Sequence, residues 1–188
     1  MRVASGSLAR RTLVAPPGDA TRPTSEKLRD ALFQHLRHRL EHGLRDARVL
    51  DLFAGSGALA FEAISAGAAH ATLVDASPAA ARAIRQNIAA LQLEAVTALV
   101  VRDVAAALPR LEGHFDLILL DPPYAFDAAP LGPLIAPLCT PTTLVVYEHA
   151  TRRDSPTLPG LAPGDARRYG DTTVSFFALA GDSARAES

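Results

Sequence analysis

The chain has 188 residues, of which 48% are hydrophobic, and a formal net charge of −1. This length predicts one domain with a sizeable core, and the single cysteine, Cys139, excludes an internal disulfide and a cysteine-based zinc site. No stretch reaches transmembrane length and the first 20 residues lack a secretory apolar core, so we expect a cytoplasmic protein with no membrane partner.

Basic side chains are concentrated near the N-terminus. Residues 1–29 carry six arginines and lysines against two acidic residues, although the whole chain is nearly neutral. Residues 1–14 predict a short hairpin that turns at Gly6 and exposes Arg10 and Arg11. A short hairpin buries little by itself, so the pattern leaves two interpretations open, a frayed terminus and an arm that grips RNA.

A helix is predicted after Thr24 or Ser25, either of which can cap it. Its apolar residues recur at helical spacing as far as Leu44. Three histidines on this helix have a spacing that resembles a metal site, at His35, His38 and His42. No carboxylate or cysteine completes the set, so we expect no metal.

The stretch Val49–Leu59 is the centre of the pattern. An apolar run ends in Asp51, turns through Gly55 and Gly57, and continues as an amphipathic helix. Glycine allows a backbone to approach a ligand closely, and the first turn of a helix points free N–H groups at that ligand. Strand, turn and helix therefore predict the nucleotide-binding half of a doubly wound α/β domain.

Two ligands fit this turn. Gly55-x-Gly57-x-x-Ala60 matches the dinucleotide fingerprint, in which the helix N-terminus holds a pyrophosphate. The carboxylate of Asp51 suits a cationic ligand better, and S-adenosylmethionine carries a sulfonium and an α-ammonium group. The turn favours S-adenosylmethionine, with a dinucleotide or a purely structural turn as alternatives.

The next two predicted strands also lead into carboxylates. Residues 70–74 are followed by Asp75, 18 positions beyond the second glycine, where an acid hydrogen-bonds ribose hydroxyls. Residues 96–101 lead to Asp103, where an adenine amino group could be held. Either carboxylate could instead cap the helix that follows it.

The fourth predicted strand carries the most specific signal. Phe115–Leu120 is nearly all apolar, as a strand buried on both faces is, and it runs into Asp121-Pro122-Pro123-Tyr124. The prolines fix the backbone and remove two N–H donors, which leaves carboxylate and carbonyl acceptors beside an aromatic ring. This patch suits the exocyclic amino group of a planar base with the ring stacked on it; a simple strand stop is the alternative.

The remaining predictions are a helical run at 127–138, a fifth strand at 143–147 before Glu148, a loop at 151–163 and a hairpin over 167–179.

The motif Asp51-Leu-Phe-Ala-Gly-Ser-Gly, paired with Asp121-Pro-Pro-Tyr, resembles the class I S-adenosylmethionine-dependent amino-methyltransferases. The arginine hairpin, Thr21-Arg-Pro-Thr before a helix, and Tyr169-Gly-Asp before a last strand are similar to the RsmD-type family. That family methylates the exocyclic N2 of one guanine in small-subunit (16S) ribosomal RNA. The likeness spans about residues 1–180, although this hairpin lacks the tryptophan and second glycine usual in that arm.

The resemblance implies a Rossmann-like class I methyltransferase fold of α/β class. Its sheet would be mostly parallel and seven-stranded, with helices on both faces and an N-terminal β-hairpin extension. Residues 1–20 would be the arm and linker, 21–180 the methyltransferase domain and 181–188 a disordered tail. The implied cofactor is S-adenosyl-L-methionine, and the implied partner is ribosomal RNA within the small (30S) ribosomal subunit, bound by a monomer without metal.

The resemblance also assigns residues. Those that would bind the cofactor are Asp51, Phe53, Ala54, Gly55, Ser56, Gly57, Asp75, Ala76, Asp103 and Val104. Those that would hold the target amino group and base are Asp121, Pro122, Pro123 and Tyr124. Those that would contact RNA are Arg10, Arg11, Arg22 and Thr24.

Three other activities remain as alternatives. The same acceptor motif serves amino-methylation of DNA adenine or cytosine, or of a protein glutamine, although DNA enzymes usually carry a target-recognition domain for which this chain leaves little room. A non-catalytic cofactor- and RNA-binding module would not need all three carboxylates. A dehydrogenase would need an acid/base residue and a substrate lobe, and neither is evident.

Overall fold

The computed structural model describes residues 1–17, 26–40, 42–123, 126–153 and 156–181. In chain order, the helices and strands are α1 (Glu26–Arg39), β1 (Arg48–Leu52), α2 (Ala58–Ser65), β2 (His70–Asp75), α3 (Pro78–Leu91), β3 (Thr97–Val101), α4 (Val104–Ala107), β4 (Phe115–Leu120), α5 (Gly132–Ile135), β5 (Cys139–Ala150), β6 (Leu161–Tyr169) and β7 (Thr172–Leu179). The chain divides into two compact units, Met1–Val104 and Ala105–Ser188.

The first unit contains three parallel strands in the order β3-β2-β1. Leu52 lies opposite Val74, and Asp75 lies opposite Val101. Helix α2 packs on β1 and β2, α3 packs on β3, and α1 packs on α2. Because parallel strands end at a common edge, the residues that follow these three strands share the edge where ligands of α/β sheets bind.

The N-terminal hairpin exists, and it is docked on the first unit. Arg2 and Thr12 form an antiparallel bridge, while the side chains of Val3 and Leu13 are 1% and 2% exposed. The interpretation of residues 1–14 as a frayed terminus is therefore wrong. Residues 1–17 are called the arm below.

A buried ion pair anchors the arm. Arg29 on α1 donates from Nε to Glu62 Oε1 on α2 over 3.1 Å, and both side chains are at most 1% exposed. The same Glu62 oxygen accepts from the backbone N–H of Ala4 at 2.7 Å, and the Arg29 Nη2 donates to the Arg2 carbonyl at 2.6 Å. A buried charge must be paired and hydrogen-bonded, so the folded arm completes this cluster.

The arm also approaches α2 closely. A Cβ on Gly6 would lie 2.0 Å from the Ser65 carbonyl oxygen, and Gly6 has a left-handed φ of 82°. The Ser7 N–H donates to that carbonyl at 2.9 Å, and the Leu8 N–H donates to the Ser65 Oγ at 2.9 Å. Only glycine fits this position.

The second unit contains four strands in the order β4-β5-β7-β6. β4 and β5 are parallel, with Ile118 opposite Val145, whereas β7 runs antiparallel to both β5 and β6. The described residues of the two units contain seven strands in all, with both parallel and antiparallel pairs. The predicted α/β class and the predicted strand number are confirmed.

Several predicted boundaries differ. Helix α1 ends at Arg39 rather than near Leu44 because the chain turns at Gly43, whose φ is 63°. The predicted helix at 127–138 is only the four-residue α5 between 3₁₀ turns, since prolines recur in it. Strand β5 is longer than residues 143–147.

Strand β6 begins at Leu161, inside the segment predicted as a loop. It lies at the edge of its sheet, where a proline such as Pro163 is tolerated.

Cys139 lies in the core at 6% exposure, and burial raises the pKa of its thiol to about 11. The predicted helix cap at Thr24 or Ser25 and the tail from residue 182 lie outside the described residues.

Candidate functional site

The loop Phe53–Gly57, between β1 and α2, has an unusual backbone. Phe53, Gly55 and Gly57 have left-handed φ values of 62°, 56° and 80°. A non-glycine residue rarely adopts this conformation, and such residues concentrate at functional sites. We call this segment the glycine loop.

The two glycines serve different purposes. A Cβ on Gly57 would lie 2.6 Å from the Phe61 ring and 2.9 Å from Leu73, so Gly57 lets α2 pack on β2. A Cβ on Gly55 would meet no described atom closer than 4.0 Å. The space over Gly55 is therefore open for a ligand to approach the backbone.

Asp51 lies beneath this loop. Its side chain is 1% exposed, and its Oδ2 accepts from the Ala60 N–H at 3.1 Å. Gly57 occupies the N-cap of α2 and has no side chain with which to cap it. The Asp51 carboxylate thus serves the first turn of α2 and places a negative charge at the positive end of the helix.

Asp75 holds the glycine loop to the end of β2. Its Oδ2 accepts from the Gly55 N–H at 2.8 Å, and its Oδ1 accepts from the Ser77 N–H at 2.8 Å. A carboxylate offers about four acceptor positions, so this half-buried group can still accept from a ligand. The ribose-binding role of Asp75 remains a prediction, and the structure adds a second role, fixing the loop.

The other predicted cofactor residues lie at the same strand ends. Ala76 is exposed directly after Asp75, and Asp103 is exposed just beyond β3. Val104 is buried at 3% exposure at the start of α4. The structure therefore brings the glycine loop and Asp75 into direct contact and places Asp103 at the edge where β3 ends.

Asn87 is a residue that the sequence analysis missed. It is 1% exposed on α3, and its Nδ2 donates to the Ser56 carbonyl at 2.9 Å. The same amide donates to the Val14 carbonyl at 2.9 Å and accepts from the Val14 N–H at 2.8 Å. Asn87 thus ties the arm to the glycine loop. A polar residue among the buried positions of α3 was the available signal.

The predicted RNA-binding arginines of the arm are exposed. Arg10 has a left-handed φ of 68°, and the Arg11 Nη2 donates to the Ala90 carbonyl on α3 at 2.7 Å. Arg22 and Thr24 lie outside the described residues. Part of the basic charge is therefore held on the surface of α3 rather than on a detached hairpin.

In the second unit, the predicted acceptor segment follows β4 directly. Asp121 and Pro122 are half-buried and Pro123 is exposed. The Pro123 carbonyl accepts from the Phe126 N–H at 2.9 Å. Tyr124 lies outside the described residues, so its stacking role remains a prediction.

A cavity of about 190 Å³ lies in the same unit, and sequence analysis gave no sign of it. The cavity is lined by residues that follow the acceptor segment, by the end of β5 and by the loop after β5. The lining residues include Phe126, Asp127, Tyr147, His149 and Arg153. Tyr147 is 4% exposed. Burial raises the pKa of Tyr147, the Arg153 guanidinium opposes the rise, and the carboxylates of Asp127 and Asp121 add to it.

Two absences characterise the described part of the chain. Histidine, cysteine and carboxylate side chains there do not gather into a group of three that could hold a metal ion. Among the same residues, no helix combines the length and apolarity needed to cross a membrane.

Comparison with solved structures defines the class of fold. A solved Escherichia coli protein assigned as a methyltransferase superposes with a TM-score of 0.82, and the match covers 95% of this chain and 97% of that one. Its sequence identity is 24%. The fold is the Rossmann-like class I methyltransferase fold that the sequence predicted.

Comparison with sequences defines the family. A family model described as "Conserved hypothetical protein 95" matches residues 1–178, and the chain belongs to that family, whose members include the RsmD-type methyltransferases. A Bacillus subtilis relative, YlbH, assigned as an rRNA methyltransferase, is 39% identical over 127 residues, which are 66% of this chain and 67% of the relative. Ribosomal RNA small subunit methyltransferase D of Haemophilus influenzae is 29% identical, with 83% of this chain and 81% of that protein covered.

Proposed function

We propose that this methyltransferase transfers a methyl group from S-adenosyl-L-methionine to the exocyclic N2 of a guanine in small-subunit ribosomal RNA. The observation that carries the proposal is the acceptor segment Asp121-Pro122-Pro123 directly after β4, with two prolines and a half-buried carboxylate. The Haemophilus influenzae relative is named as a methyltransferase of small-subunit ribosomal RNA, and this supports the substrate class.

Two features of the first unit support cofactor binding there. The open space over Gly55 accommodates a ligand against the backbone, and the buried charge of Asp51 favours a cation above the loop. Asp75 would accept from the ribose hydroxyls, and Asp103 would accept from the adenine amino group. When bound, S-adenosylmethionine supplies an electrophilic methyl group on its sulfonium.

The second unit would orient the nucleophile. The lone pair of guanine N2 is delocalised into the ring, so the nitrogen is a weak nucleophile. Asp121 and the Pro122 carbonyl would accept from its two N–H bonds and favour the positive charge that develops on the nitrogen as it takes the methyl group, after which the nitrogen would release one of these protons to solvent. Tyr124 would stack on the base, which must first leave its own stack.

The arm would position the RNA. Arg10, Arg11 and Arg22, with Thr24, would contact phosphates, which fix the register of the strand without reading its sequence. We place the reaction on the small (30S) ribosomal subunit, in the cytoplasm, with the protein acting as a monomer.

The test is transfer of tritiated methyl from S-adenosylmethionine to unmodified small ribosomal subunits, free ribosomal RNA, duplex DNA and protein extract. The labelled product is then identified after digestion. N2-methylguanosine from the ribosomal samples is the expected result. Label confined to DNA, to a protein glutamine or to another nucleoside would contradict the proposal.

A further inference from the structure

The cavity in the second unit has the chemistry of a nucleobase site. Its wall includes the rings of Phe126, Tyr147 and His149. The Tyr147 and His149 ring centroids are 5.7 Å apart with 34° between the planes. Aromatic surfaces of this kind stack on bases.

Internal hydrogen bonds hold the histidine ring in place. His149 Nδ1 lies 3.2 Å from the Ala150 carbonyl, and Nε2 lies 2.8 Å from the Ser175 Oγ. The tautomer that donates from Nδ1 accepts the serine hydroxyl at Nε2. Burial lowers the pKa of His149, the hydrogen bond to the Ala150 carbonyl opposes this shift, and the Arg153 guanidinium adds to it. At neutral pH this residue therefore offers a fixed, uncharged ring.

Arg153 supplies the directional donors of the cavity. Its Nη1 donates to the Phe126 carbonyl at 3.4 Å, which holds the guanidinium at the wall. A guanidinium has five N–H donors in a rigid fork. That fork matches the O6 and N7 acceptors of guanine, whereas adenine presents an amino donor in place of O6.

The cavity also lies beside the acceptor segment, because Tyr147 in its wall pairs with Leu120, the residue before Asp121, across the parallel strands β4 and β5. Guanine carries its amino donors on one edge and its O6 and N7 acceptors on another. One base could thus meet acceptors at the end of β4 and donors at Arg153.

We propose that this cavity binds the guanine that is methylated and that Arg153 selects it by donating to O6 and N7. The assignment rests on the proposed function. It makes Arg153 a specificity-determining residue, with Phe126 and His149 as the stacking surfaces.

The experiment compares Arg153→Ala with Arg152→Ala, a matched control. Arg152 is the neighbouring exposed arginine and does not line the cavity. Each variant and the wild type is assayed on RNA or reconstituted subunits that carry guanine or 7-deazaguanine, which lacks the N7 acceptor, at the mapped methylation position. Methyl transfer, KM for RNA and cofactor affinity are measured.

We expect Arg153→Ala to lower kcat/KM by about 10- to 100-fold, the effect of losing a bidentate base contact, with cofactor affinity unchanged. Arg152→Ala should stay within about 3-fold of the wild type, as a surface charge does. The wild type should lose about 10-fold on 7-deazaguanine, and Arg153→Ala should lose nothing more, because the lost contact is the same one.

Three results would overturn the assignment. Equal losses of kcat/KM in the two arginine variants would show that Arg153 only attracts RNA phosphates and does not select the base. Indifference of the wild type to 7-deazaguanine at the target, or sensitivity only at a flanking position, would exclude the target base from the cavity. A wild type that makes no N2-methylguanosine would refute the proposed function itself, and the assignment with it.

Discussion

The glycine loop and the cavity differ in how the protein holds them. Asp75 holds the loop at Gly55 and Asn87 holds it at Ser56, while Asp51 accepts from Ala60 in the first turn of the helix that follows, all through hydrogen bonds of 2.8–3.1 Å. The cavity is formed by aromatic rings and one exposed arginine on a loop. A preformed loop suits a small ligand that is always the same, whereas an open cavity suits a base that must enter from a larger RNA.

The largest expected effect tests how the arm is held on the first unit. Glu62→Ala removes the carboxylate that is ion-paired with the buried Arg29 and the acceptor of the Ala4 N–H. We expect a loss of about 3–5 kcal/mol in the free energy of unfolding, measured by urea denaturation. Glu94→Ala, at an exposed position of the same unit, is the control. A loss below about 1 kcal/mol for Glu62→Ala would contradict the anchoring role.

The next effect separates chemistry from cofactor binding. Asp121→Ala should raise the transition-state barrier by about 2–4 kcal/mol, the range for removing a positioned polar group, while the affinity for S-adenosylmethionine stays unchanged. Asp116→Ala, at an exposed position on β4, should leave the rate intact. An equal loss of cofactor binding in the Asp121 variant would assign this residue to the cofactor instead.

A smaller effect tests the link between arm and loop. Asn87→Asp keeps the shape and the acceptor for the Val14 N–H but removes the donor to the Ser56 and Val14 carbonyls. We expect a loss of about 1–3 kcal/mol in stability and weaker cofactor binding by calorimetry. Gln86→Ala, at an exposed amide on the same helix, should change neither. Unchanged cofactor affinity in Asn87→Asp would show that Asn87 does not support cofactor binding through the glycine loop.

The smallest effect concerns Cys139. Burial raises its thiol pKa from 9.0 to about 11, so the folded thiol stays protonated where an unfolded thiol ionises. This residue therefore stabilises the fold fully below pH 9 and loses its contribution as the pH rises towards about 11. At pH 8, labelling by a thiol reagent should be about 100-fold slower in the native protein than in the unfolded protein. Comparable rates would place the thiol at the surface.

The strands that lead into the site and the glycine loop were predictable because their signals are local. The strand that ends in Asp51 and the glycine turn after it lie within about 10 consecutive residues. The acceptor segment, with its two prolines, likewise follows directly after β4. Asn87 and Arg153 were missed because their partners are remote: Asn87 and Val14 are 73 positions apart, and Arg153 and Phe126 are 27 apart. The two interpretations of the arm stayed open for the same reason, since the hydrogen bond between Ala4 and Glu62 joins residues 58 positions apart.

The account assigns cofactor binding to the glycine loop and base binding to the cavity. Equilibrium binding of S-adenosylmethionine to Gly55→Val tests this assignment most directly. A valine there fills the open space over the loop and must adopt a left-handed φ of 56°, so we expect cofactor affinity to fall at least about 10-fold. Asp121→Ala, measured beside it, should bind the cofactor as the wild type does. Wild-type affinity in Gly55→Val would contradict the account, because the cofactor would then not lie against the glycine loop.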